Sequence, residues 1–187
     1  FDDREADKID KQIEELKVTA FRSFFKVKEL RGIKAHIRFL EEKSIQHRSK
    51  KVCLDHLSCD GVAAFTRAMW IIDNTTRNLD GNKYNWSKGH LSEAMSYYNS
   101  HQITAATFRR IARSDPWRSM WSIGKKQSNV FGKPSSDCTK DQMALCSYST
   151  MYDSVHESPD SPNEKIIKDD DCLDGWFIVQ RREHEKN

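Results

Sequence analysis

Between Asp7 and about Gln46 the apolar positions fall at Ile9, Ile13, Leu16, Ala20, Phe24, Val27, Leu30, Ile33, Ile37 and Leu40. The steps are three and four throughout, the signature of one continuous helical face. The pattern predicts a long amphipathic helix, or two helices broken near Gly32. A stripe of this length exceeds what one small domain covers, so the segment 1–51 reads as a helical arm for oligomerisation or docking.

Beyond a basic connector, H-R-S-K-K from His47, the spacing stays helical. Asp60 is placed to cap a second helix that carries Val62, Phe65, Met69 and Ile72 on one face. Leu79 to Asn82 is a turn by its Asp-Gly pair. A third helix runs from Ser87 or Ser92 to Tyr98, and a fourth is capped by Thr104 and carries Phe108 and Ile111. Pro116 restarts a short helix with Trp117 and Trp121 four apart and Gly124 at its end.

Thr139 to Tyr152 repeats the helical pattern, with Met143, Cys146 and Met151 facing inward. After a rigid loop, S-P-D-S-P from Ser158, Leu173, Trp176, Phe177 and Gln180 close the chain at helical spacing. Almost nothing alternates as a strand must. The expected fold is all-α: an arm over 1–51 and a helical domain over 52–187, whose core holds Trp117, Trp121, Phe131, Leu145, Tyr152, Trp176 and Phe177.

Composition changes this picture in one respect. With 37% hydrophobic and 32% charged residues, the core is small for a chain of 187, so part of the apolar surface is expected to need other chains. No run approaches the ~18 apolar residues that cross a bilayer, and the acidic start F-D-D-R-E-A-D is unlike a secretory signal. No membrane is expected as a partner. The five cysteines, odd in number, read as reduced thiols rather than a disulfide framework.

A net charge of +3 conceals three blocks. Arg22 to Lys51 holds ten Lys and Arg against three Glu, and Thr104 to Lys133 holds seven against one Asp. Asp137 to Asp174 reverses the sign, with ten acids against three Lys. Such segregation suits pairing with copies of the chain or with neighbours of opposite potential, or binding of nucleic acid, or plain solvation of helix faces.

Several constellations bear on chemistry. Cys53, His56 and Cys59 form C-x-x-H-x-x-C, three soft ligands lacking the second close pair of a structural zinc site. The run D-D-D-C-L-D-G places Asp170, Cys172, Asp174 and Gly175 as a calcium loop would, but Arg181 then stands where a bidentate Glu is required. A magnesium-dependent enzyme centred there lacks any phosphate loop. The aspartates fit better as the acidic entry to a terminal helix with Arg181, Arg182 and Lys186 towards its other end. Because they close the acidic block, Asp169, Asp170 and Asp171 are also candidate partner contacts.

The segment 93–113 permits a helix-turn-helix reading in which Arg109, Arg110 and Arg113 would face nucleic acid. Phe21, Phe24 and Phe25 among basic residues could be stacking platforms, although their helical spacing suits a core. No Ser or Cys sits in a recognisable nucleophile elbow. The residues point to no catalytic group and no cofactor.

One resemblance bears on function. W-R-S-M-W from Trp117, V-F-G-K-P from Val130, D-Q-M-A-L from Asp141, M-Y-D-S-V-H-E-S-P from Met151, I-K-D-D-D-C-L-D-G-W-F-I from Ile167 and Q-R-R from Gln180 are together similar to the C-terminal block of a group of tailed-bacteriophage proteins. It covers roughly residues 103 to 187. The resemblance implies a virion component or tail-assembly factor, assembled in the host cytoplasm, and brings no catalytic residues with it. The expected function is therefore a non-enzymatic structural protein with other phage proteins or its own copies as partners, and the alternative is a nucleic-acid-binding protein.

Overall fold

The computed structural model describes residues 3–52, 57–86, 91–125 and 130–186. These form nine α-helices: α1 (Asp3–Arg22), α2 (Val27–Val52), α3 (Cys59–Thr75), α4 (Leu91–Ser100), α5 (Ala105–Ala112), α6 (Trp117–Gly124), α7 (Lys140–Glu157), α8 (Glu164–Ile167) and α9 (Asp170–His184). Among the described residues there is no strand, only an isolated antiparallel bridge between Arg77 and Lys83. It flanks the Asp80-Gly81 turn, where Gly81 takes a φ of 83° that other residues rarely adopt. The fold is all-α, as the periodicity indicates.

The long N-terminal pattern is two helices, but the break falls at Ser23–Lys26 rather than at Gly32. Gly32 sits inside α2 with open space around it. No glycine or proline marks the true break. The backbone turns because the Phe24 and Lys26 amides donate to the Phe21 and Ser23 carbonyls, while the buried Ser23 hydroxyl bonds Glu29 across the turn. Local turn bonds here override good helix propensity.

Helix starts follow side-chain chemistry. Thr104 caps α5 through the Thr107 amide, and Thr139 forms a capping box with Gln142 at α7. Asp169 caps α9 by accepting from the Cys172 amide. The cap of α3 is Ser58, which accepts from the Gly61 amide. The expected cap, Asp60, lies instead in the first turn, where its charge complements the helix dipole.

The chain forms two compact units composed differently from an arm over 1–51 and a domain over 52–187. One contains residues 1–13 and 38–102, the other 14–37 and 103–187. In the first, Asp10 of α1 accepts from Ser44 and Arg48 of α2, and α3 packs on α4. Among its described residues the large buried side chains are few: Ile9, Leu40 and Ile72.

The second unit has a proper core of Ala112, Tyr152, Val155, Ile167, Leu173 and Trp176, with Phe21, Leu145, Tyr148, Met151 and Phe177 packed around it. Trp117 and Trp121 are buried beside Phe131, which stacks on Trp117 at 5.5 Å between ring centroids. The buried indole of Trp117 donates to Ser149 Oγ at 2.7 Å, and Ser149 donates in turn to the Leu145 carbonyl. This chain leaves neither polar group unsatisfied in the core. Met143, expected inside, is exposed on α7.

Candidate functional site

The acidic start of α9 is where unlike charges meet. Its carboxylates lie at a helix N-terminus, favoured by the dipole, and each of three draws in a cation from another element of the same unit. Asp169 pairs with Lys34 of α2. Asp170 accepts from Arg113 Nη1 at 2.6 Å. Asp174 is held from two sides, by Lys17 of α1 at 2.8 Å and by Arg109 of α5. Arg113 also donates to the Tyr152 hydroxyl at 3.3 Å, which ties the network to the core.

Burial makes these contacts matter more than surface ion pairs do. Burial of Arg109 works against its charge, but Asp174 and Asp170 outweigh it and hold the guanidinium still more firmly protonated. Arg113 behaves in the same way, with Tyr152 and Asp170 opposing its burial. Asp171 is different. Burial pushes its carboxyl above the usual range, and Lys17 and Lys34 offset that only in part. Cys172 is fully buried behind the triplet, and burial together with Asp169 pushes its thiol up to about 12. An inert thiol of this kind is packing, not chemistry.

The predicted nucleic-acid contacts are thereby redistributed. Arg109 and Arg113 are engaged inside the unit, Arg109 also lying over the Tyr148 ring at 5.8 Å, and of the three only Arg110 is exposed. The two helices of the 93–113 reading belong to different compact units: α4 packs on α3, whereas α5 packs on α7 and α6. Asp169, Asp170 and Asp171, the proposed partner contacts, are partly buried, and the first two carry internal ion pairs. The opposed charge blocks thus meet within one unit.

Of the soft-ligand triplet, Cys53 and His56 lie outside the described residues, and Cys59 is an exposed free thiol in the first turn of α3. Among the described residues no group of three His, Cys, Asp or Glu side chains is placed to share a metal ion. The described residues also include no helix long and apolar enough to cross a membrane. Phe21 packs against the core, as its spacing suggests, while Phe25 is exposed with its ring against the edge of Phe24.

What sequence reading missed is the state of α3. Its stripe was expected to face inward, yet only Ile72 is buried and Met69 half-buried. Val62 and Phe65 are 52% and 54% exposed, and Trp70 is 66% exposed. On a helical wheel these residues share one broad face. Phe39, Ile45, Leu79, Tyr97 and Tyr98 of the same unit are exposed as well. Isolated exposed apolar residues are ordinary, but three on one helix face over a unit with so small a core are not. The signal was present in the low overall hydrophobic content, though not in any local motif.

No protein-family model, no curated protein and no solved structure matches this chain.

Proposed function

We propose that this chain is a non-enzymatic structural or assembly protein of a tailed bacteriophage, whose N-terminal unit docks on other phage proteins or on copies of the chain through the open face of α3. The observation that carries the reading is the exposure of Val62, Phe65 and Trp70 above a unit whose described residues bury only a handful of large apolar side chains. Burying an exposed aromatic or aliphatic side chain gains about 1.5–3 kcal/mol, so such a face gains most when another chain covers it. The phage setting rests on the resemblance in residues 103–187. The internal pairing of the charge blocks favours apolar docking over electrostatic register as the source of affinity.

Mass spectrometry of purified particles and of assembly intermediates tests this reading. The chain is expected at a fixed copy number in one or both. Its absence from both, together with retention on DNA that falls steeply with salt, would instead favour the nucleic-acid alternative.

A further inference from the structure

The C-terminal unit holds a cavity of about 430 Å³ that the assembly reading does not use. One wall is a stripe of α7, formed by Cys146, Thr150, Asp153 and Glu157. The facing wall is Trp121 and Lys125 from the end of α6, and Val130, Phe131 and Lys133 close the third side. Gly124 permits this closure: a Cβ there would lie 2.9 Å from Val130 Cα. Size and character match a small-molecule site, an apolar and aromatic lining with a few convergent polar groups.

The electrostatics select the ligand. Asp153 is satisfied by Trp121 Nε1 at 2.7 Å, Lys125 at 2.7 Å and Arg118 at 2.6 Å. Lys125 also lies 3.9 Å from Glu157. Lys133, half-buried in the lining, has neither an ion pair nor a hydrogen bond among the described residues. Burial pushes the Cys146 thiol up, so that thiol adds no charge to the α7 wall at pH 7. Among the described residues, and counting Arg118, three cations meet two carboxylates, and the surplus charge is the ammonium of Lys133.

We propose that this cavity binds a small aromatic anion, with the ring against Trp121 and Phe131 and a carboxylate or sulfonate on Lys133. A flat ring fits the aromatic walls, and an anionic group gives Lys133 its missing partner.

The test is a titration of the full-length chain with naphthalene-2-sulfonate and with its neutral counterpart, naphthalen-2-ylmethanol. Heat is recorded, and so is the Trp121 indole N–H resonance, assigned by Trp121→Phe. The sulfonate is expected to bind more tightly and to move the Trp121 signal, and Lys133→Met is expected to weaken the sulfonate about fivefold or more while leaving the alcohol unchanged. Lys133 has no partner among the described residues, so this variant is expected to leave the fold intact. Equal affinity for the two compounds, an unchanged sulfonate affinity in Lys133→Met, saturation without movement of the Trp121 signal, or no binding up to about 5 mM would each overturn the proposal.

Discussion

Gly175 of α9 lies so close to Lys17 of α1 that a Cβ on the glycine would sit 2.0 Å from the Lys17 carbonyl oxygen and 2.9 Å from Phe21 Cβ. The obstacle is backbone, which cannot swing aside as a flexible side chain would. Gly175→Ala is therefore expected to destabilise the C-terminal unit by about 3 kcal/mol or more, as an overpacked core does. Urea unfolding followed by tryptophan fluorescence measures it. A change within about 0.5 kcal/mol would show that α1 and α9 are not packed this closely.

Asp153 sets a pH dependence. Burial alone pushes its carboxyl up, but hydrogen bonds from Lys125, Trp121 and Arg118 outweigh that and bring it down to about 2, against 3.8 for an unperturbed Asp. A carboxyl depressed in the folded state contributes stability above its unfolded value and loses it as pH falls. The contribution, on the order of 2 kcal/mol, is complete above about pH 5 and fades between about pH 4 and pH 2. The stability gap between the wild type and Asp153→Asn should be widest at pH 7 and narrow over that acid range. A gap of constant size would mean the charge of Asp153 is not what the network holds.

Two of the aspartates opening α9, Asp170 and Asp171, should respond oppositely to neutralisation. Asp170→Asn weakens the pair with Arg113 and should cost about 1 to 3 kcal/mol at pH 7. Asp171 has its carboxyl raised by burial, so ionisation costs folding free energy at neutral pH, and Asp171→Asn should hold or raise the melting temperature. Thermal melts of the two variants at pH 7 decide this. Equal losses in both would assign the triplet a purely collective role.

Arg109→Met removes a partner from Asp174 and should lower stability by about 2 to 3 kcal/mol, whereas Arg110→Ala, on an exposed side chain, should change it by less than about 0.5 kcal/mol. Chemical denaturation of both variants measures the contrast. Similar effects at the two positions would contradict the buried pairing of Arg109.

These residues also show how far the sequence could be read. Caps and apolar spacing located α5, α6, α7 and α9, though not the short α8; Thr104, Thr139 and Asp169 act on amides three residues away, and local chemistry is visible locally. The break at Ser23–Lys26 was invisible because no glycine or proline marks it, and the Ser23–Glu29 bond that spans it joins residues that would equally continue a helix. The pairing of Arg109 with Asp174 spans 65 positions, and only the opposed charge blocks hinted at it. Gly175 stood out only as a would-be calcium-loop glycine, since nothing local reveals that α1 lies against it. For α3, periodicity identified the face but not what covers it: Ile72 is inside, while Val62 and Phe65 are not.

The open face of α3 carries the central claim, and co-sedimentation tests it most directly. Wild-type chain and the triple variant Val62→Ser, Phe65→Ser, Trp70→Ser would be supplied during particle assembly, with helical content checked by circular dichroism. The wild type should sediment with particles or intermediates, and the variant should remain at the top of the gradient, still folded. If the folded variant sediments as the wild type does, or if the wild type itself stays at the top, the α3 face is not the docking surface.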